Sequence, residues 1–352
     1  MVAVDASTPD AADSVLADLP RVDALRTITI PTTGKRGDEV GPTIANDLAI
    51  VGGSAFGFAA IDYARGAVAW TKPAGVHLAP PLVLGSSIVL VGDCARYEPV
   101  PDGDVLLGCL RVVTTTGSDE AYLAIHGRDV AAFAASDGAH SLWAAGEHVV
   151  RWRKGGEAVT IDVLTGLAKR ASADPPPLRV VYKGTTWDIA QRDGRIVARG
   201  KKPWETEHPY TALLGIVWTS DDAPLVRVAN LGTFGGLREA YVIDIDATGS
   251  LRAAVARSTP GVALLGHGVS SRGDAALALR TEDGHAYVVG YAANALLLYV
   301  YALPVTERVG VAVADEAVVV FHDGDRVSVL PELSAPPTAP GATRSSSKNP
   351  TP

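Results

Sequence analysis

"AAIDYARGAVAW", residues 59–70, is the stretch whose reading decides the fold. A small apolar run ends at Asp62, Gly66 follows four residues later, and Trp70 four after that. The figure returns as "VTIDVLTGLAKR" at 159–170, with Asp162 and Gly166 at the same spacing, and as "YVIDIDATGSLR" at 241–252, with Asp244 and Gly249 one residue further apart. Looser copies are "AAFAASDGAHSLW" (131–143), "TWDIAQRDGRIVAR" (186–199), "VGYAANALLLYV" and "VVFHDGDRVSVL". Each reads as an apolar strand, a tight turn centred on glycine, and a returning strand. Glycine suits the turn because such turns need a residue at positive φ. The aspartate can accept hydrogen bonds from the turn's own N–H groups.

A second piece recurs ahead of these hairpins. "GPTIANDLAIVGG", "APPLVLGSSIVLVGD", "GVALLGHGVSSRGDAALAL" and "ERVGVAVADEAVVVF" are each an apolar run, a short polar turn and another strand. Together the two pieces make four strands in roughly 40 to 50 residues, the size of a propeller blade. The expected fold is all-β: a β-propeller over 25–332, with seven four-stranded blades, six or eight being the alternatives. The isolated strand "RTITIPT" at 26–32 and the C-terminal "VFHDGDRVSVL", which lacks a following partner, are expected to share one blade and so remove two open sheet edges. Residues 1–24 form an N-terminal segment with a short helix over 8–18, where Thr8 caps and Pro9 opens the first turn. Residues 333–352 are a tail rich in Pro, Ser and Thr, read as a linker or disordered.

Composition narrows the function classes. The chain has 352 residues, 47% apolar and 20% charged, with a net charge of −8. A nucleic-acid binder needs a basic stripe. The longest basic cluster, "RWRK" at 151–154, alternates with apolar residues and reads as the wet face of a strand. No run is long and apolar enough for a membrane-spanning helix, the longest being "ANALLLYVYALPV" at 293–305. The N-terminus does not have the pattern of a signal peptide.

Cys94 and Cys109 bracket the turn-rich "PVPDGD" between two apolar strands, so a hairpin would bring their sulfurs together. A bridge would add about 3 kcal/mol in the chain-entropy model and implies an oxidising compartment. The alternative is two buried thiols in a cytosolic protein. Neither cysteine has the spacing of a metal or redox site.

The copies resemble the repeat of the pyrroloquinoline-quinone-type propellers: an apolar strand, Ala-x-Asp, two residues, Thr-Gly, then a strand ending in Trp. "AAIDYARGAVAW" matches with Arg65 in place of the Thr; "VTIDVLTGLAKR" keeps Thr165–Gly166 but ends in Arg170; "VIDIDATGSLR" keeps Thr248–Gly249 and lacks the Trp. The resemblance implies a Trp packed between neighbouring blades, with smaller residues taking over where it is missing. The quinone-dependent enzymes of that group are longer and carry adjacent cysteines and an acidic calcium site, which this chain lacks. The resemblance therefore points to the non-catalytic branch, similar to the propeller lipoprotein that helps assemble outer-membrane barrels.

The expected function is accordingly a non-enzymatic binding or scaffold propeller, periplasmic or extracellular and tethered through a tail, with another protein or envelope component as its partner. No cofactor, metal or catalytic residue is assigned. Two loops are candidate partner-binding surfaces: "GKKPWETEHPY" at 200–210, with Lys201, Lys202, Trp204 and Tyr210, and the loop over 95–108, with Arg96 and Tyr97. An aromatic residue of the first loop could instead fold back onto its own blade. The alternatives are an enzyme, a lyase or hydrolase using the mouth of the central channel, or a cytoplasmic sensor propeller within a larger chain.

Overall fold

The computed structural model describes residues 20–34, 37, 39–96, 98–218, 223–234, 237–252, 259–294, 296–304 and 308–333. The expected helix over 8–18, Tyr97 and the tail beyond 333 lie outside the described residues. The chain forms seven sheets arranged in a ring, each built on four strands, which in the first six run in chain order from the channel outwards. We number the blades from the N-terminus: blade 1 (40–72), blade 2 (82–127), blade 3 (140–171), blade 4 (178–205), blade 5 (212–252, edged by a short pairing at Thr259–Pro260), blade 6 (263–303) and blade 7.

Blade 7 is composite. Its three inner strands, Val309–Val313, Ala317–His322 and Arg326–Pro331, come from the C-terminal end, and its outermost strand, Arg26–Thr29, from the N-terminal end. Arg26 pairs with Val329 and Thr29 with Arg326 in an antiparallel ladder. This closes the ring as the isolated strand predicts, because each end supplies the hydrogen-bonding partner the other lacks.

The hairpin with Asp62 joins the third and fourth strands of blade 1, and those with Asp162 and Thr248 do the same in blades 3 and 5. In the first, Asp62 Oδ1 accepts the Arg65 N–H at 2.8 Å; in the second, Asp162 Oδ1 accepts from the N–H groups of Leu164 and Thr165. Gly66 and Gly166 both sit at φ 74°, where a Cβ would be strained. The third hairpin corrects the alignment. Its turn is held by Asp246, whose Oδ1 accepts from the N–H of Thr248 at 2.8 Å and of Ser250 at 3.1 Å, with Gly249 at φ 83°. Asp244 instead points inward and meets Arg227 in a two-bond ion pair, both bonds at 2.8 Å. Arg227 is 0% exposed, and its remaining N–H groups donate to the carbonyls of Gly273, Ala292 and Ala293 in blade 6. One buried arginine thus ties blade 5 to blade 6.

The stretch 131–143 is not a hairpin copy. It opens with a one-turn helix, Ala131–Ala134, that places Phe133 edge-on against Trp152 at 4.8 Å, and ends in the innermost strand of blade 3, His140–Ala144. Periodicity was too weak to place a helix of four residues.

Facing sheets bury apolar side chains at six seams. The clusters lie between blades 1 and 2, 2 and 3, 4 and 5, 5 and 6, 6 and 7, and 7 and 1. Trp70 lies in the first of these, donating its Nε1–H to the Thr115 carbonyl of blade 2 at 2.9 Å, so the single matching Trp of the repeat does sit between blades. At the seam of blades 7 and 1 the backbones come so close that a Cβ on Gly310 would run into the Gly41 carbonyl.

Candidate functional site

The seam between blades 3 and 4 has a different surface from the other six. In blade 3, Val150 and Trp152 face the apolar cluster shared with blade 2, so Arg151 and Arg153, which alternate with them, face blade 4. In blade 4, Val180, Trp187, Ile189, Ile196 and Ala198 face blade 5, which turns Arg179, Val181, Asp188, Ala190, Arg192, Val197 and Arg199 toward blade 3. Two polar sheet faces confront each other, and among the described residues no apolar cluster joins them. Val181, on the innermost strand of blade 4, is 60% exposed although it faces the neighbouring blade. The innermost strands of neighbouring blades approach most closely between blades 6 and 7 and between blades 7 and 1.

The result is a slot of about 510 Å³, within the range of ligand sites, walled by Trp143, Arg151, Asp188, Arg192 and Arg199 and closed at one side by the loop Asp174–Pro177. Asp188 is engaged by Arg179 through two bonds, at 2.8 and 3.2 Å, and this pairing holds its carboxyl below the usual carboxylate range. Arg151 stacks over Trp143, 5.9 Å from the ring centre. Its Nε, like that of Arg153, is buried without a hydrogen-bond partner. Buried donors are normally satisfied; Arg151 does donate through Nη1, to the carbonyls of Ser172 and Asp174 at 3.5 Å.

A second concavity is one mouth of the central channel, about 780 Å³, where the first residues of the innermost strands of blades 1, 2, 3, 6 and 7 converge. His77 Nδ1 lies 3.0 Å from Asp93 Oδ2, and its ring stacks on His140 at 6.3 Å between centroids. Trp152 donates its indole N–H to His140 Nδ1 at 3.2 Å, so the neutral His140 carries its proton on Nε2. His267, on the innermost strand of blade 6, is reached by water yet ringed by protein, and this desolvation lowers its pKa.

Ser328, His322 and Asp323 have the connectivity of a hydrolase triad: Ser328 Oγ is 2.9 Å from His322 Nε2, and His322 Nδ1 is 3.1 Å from Asp323 Oδ2. Ser328 is 0% and His322 2% exposed, so no substrate carbonyl can reach the hydroxyl. Ser328 Oγ also meets Thr27 and the Tyr301 hydroxyl. The network is a buried clasp that joins the N-terminal strand and blade 6 to blade 7.

The sequence-predicted loops fall elsewhere. Trp204 pairs through its backbone with Ala198, and its ring packs over Gly249 at the seam of blades 4 and 5. Tyr210 packs in the same cluster, with its N–H bonded to the Gly194 carbonyl at 2.8 Å. Both aromatics are therefore half-buried against the seam, because an inter-blade gap buries more apolar area than a free loop can; Lys201 and Lys202 beside them are exposed. Arg96 lies over the Tyr122 ring at 4.7 Å and pairs with Glu98 at 2.7 Å. Cys94 and Cys109 are bonded, tying the start of that loop to the third strand of blade 2.

Arg192, Arg199 and Trp143 were missed by sequence reasoning, and a signal for them existed. The middle strands of most blades read as continuous apolar runs, such as "LAIVGG" and "AVVVFH", since both faces are covered; "VVRWRK", "TWDIAQR" and "RIVARG" carry charged residues within or at the ends of the run. Charged residues gathered in neighbouring middle strands mark a blade face with no apolar neighbour.

No family model and no curated protein matches the chain. Among solved structures, the chain is similar to a chain of the mitotic checkpoint complex, at 11% identity and a TM-score of 0.47, covering 94% of this chain and 98% of that one. It is also similar to BamB from Moraxella catarrhalis, at 11% identity and a TM-score of 0.36, covering 87% and 98% respectively. Both likenesses are too distant to bear on function.

Proposed function

We propose that this chain is a non-enzymatic binding propeller that works as a scaffold for a protein partner in the cell envelope. The observation that carries the reading is the open seam between blades 3 and 4, where arginines and a tryptophan replace the apolar packing used elsewhere. Giving up one seam of a closed ring costs apolar burial, and a binding slot is the use that fits its surface. The Cys94–Cys109 bond supports an oxidising compartment. The hairpins around Asp62 and Asp162, with Trp70 between blades, support the likeness to the quinone-type repeat; the missing adjacent cysteines and acidic cluster favour its non-catalytic branch.

The test places a photo-crosslinking amino acid at Ala144, on the slot, and at Ser86, on an exposed turn of blade 2, in cells that make the protein. The reading expects a protein adduct from Ala144 and none from Ser86. Equal adducts, or none at either position, would sink it. Alkylation of both cysteines in protein taken directly from cells would count against the envelope.

The His77–Asp93 pair at the channel mouth favours a second reading, an enzyme that takes a proton there. Turnover of ester or uronide substrates that is abolished by His77→Gln would establish it in place of the first.

A further inference from the structure

The slot's wall has a spacing that specifies what it holds. Asp188, Ala190 and Arg192 share one face of their strand, and Arg199 stands directly opposite Asp188 on the next strand. Arg192 and Arg199 are therefore four residues apart along the wall, about 13 Å at the rise of a strand. Side chains anchored that far apart suit two separate acceptors better than one small anion. They match an extended chain, whose side chains return to the same side every second residue, so that acids four positions apart also lie about 13 Å from each other.

The charge is consistent with this. Arg151, Arg192 and Arg199 line the slot against Asp174 and Asp188, and Asp188 is already neutralised by Arg179. The slot is thus cationic on a protein whose net charge is −8. Among the described residues neither Arg192 nor Arg199 makes an ion pair, and Arg151 Nε has no acceptor, while its Nη1 donates to the Ser172 and Asp174 carbonyls at 3.5 Å. The cations are arginines, whose planar forks fit carboxylates in a way a lysine ammonium does not. Trp143 and the Pro175–Pro177 loop add a stiff apolar edge for the intervening side chains.

We propose that the seam between blades 3 and 4 docks an extended acidic segment of a protein partner, with two carboxylate side chains four residues apart held by Arg192 and Arg199 and a third acceptor, side chain or carbonyl, taken by Arg151. This rests on the reading of the chain as a binding propeller and names the chemistry of the partner.

The probe is a fluorescent ten-residue peptide with two glutamates four positions apart in a Ser/Ala background, titrated by anisotropy against the whole protein. Controls are the same peptide with both glutamates replaced by glutamine, a version with the glutamates one position apart, and free glutarate and phosphate as competitors. The expected result is that the glutamate peptide binds, the glutamine and close-spaced peptides bind about tenfold or more weakly, and raised salt weakens binding. Arg192→Glu/Arg199→Glu should lose about tenfold or more in affinity. Both side chains are exposed, so its thermal midpoint should match that of the native protein. Equal binding of the glutamine peptide, no binding of the glutamate peptide, or an unaffected double variant would overturn the proposal. Displacement by phosphate or glutarate at the peptide's own concentration would make the slot a small-anion site and overturn it as well. If the peptide fails while crosslinking at Ala144 still captures a protein, the binding reading stands and only the acidic-segment assignment falls.

Discussion

His322 shows how one buried side chain couples the closed ring to pH. Burial lowers its pKa from the ordinary 6.5, and Asp323 and Asp325 only partly offset this. As pH falls through 6.5 the unfolded chain takes up the proton while the folded chain resists it. The stabilisation is therefore intact above about 6.5 and is lost as pH falls toward the lower, folded value. Thermal unfolding should show a midpoint that drops between pH 7.5 and pH 5, and His322→Gln should flatten that drop. A residual slope is expected from His267, whose pKa is lowered in the same direction. A midpoint that rises on acidification would contradict the assignment.

At the scale of the element, two aspartates two residues apart in blade 5 carry unlike loads. Asp246 holds an exposed turn: burial pushes its carboxyl up, and the hydrogen bonds from Thr248 and Ser250 more than reverse this, leaving the pKa lowered. Asp246→Ala should cost about 1 kcal/mol. Asp244 is the counter-charge of a fully buried arginine, so Asp244→Ala should cost about 3–5 kcal/mol by leaving Arg227 unpaired. Urea unfolding of the two variants checks the order, and the reverse order would show that the turn, not the clamp, holds blade 5. The blade 2 hairpin gives a second expectation. Its disulfide spans 15 residues, and reduction should lower stability by about 3 kcal/mol, measured by unfolding with and without a reductant that leaves the rest of the chain unchanged.

Across the whole molecule, stability should be uneven around the ring. The innermost strands at the open seam, 140–144 and 178–182, share no apolar cluster with the facing blade among the described residues, whereas 309–313 is pressed between blades 6 and 1. Local opening follows packing. Hydrogen exchange should therefore be faster in the first two strands than in the third, and an acidic peptide bound in the slot should slow it there. Uniform protection around the ring would mean that the seam is closed in solution.

The sequence by itself determined the all-β class and the strand–turn–strand repeat, and left the blade count between six and eight until the structure gave seven. The class and the repeat are local facts: φ at Gly66 and Gly166, the side-chain bonds of Asp62 and Asp162, and the alternation of apolar strands with turns are all set within a dozen residues. It also placed Cys94 and Cys109 opposite each other, because a hairpin brings its own ends together. Only the tertiary structure decided which aspartate of "DIDATG" is a turn residue and which an ion-pair partner, which seam Trp204 and Tyr210 pack against, and which seam is left unfilled. Those outcomes depend on what the neighbouring sheet presents across a gap, and a strand's own text does not contain its neighbour's face.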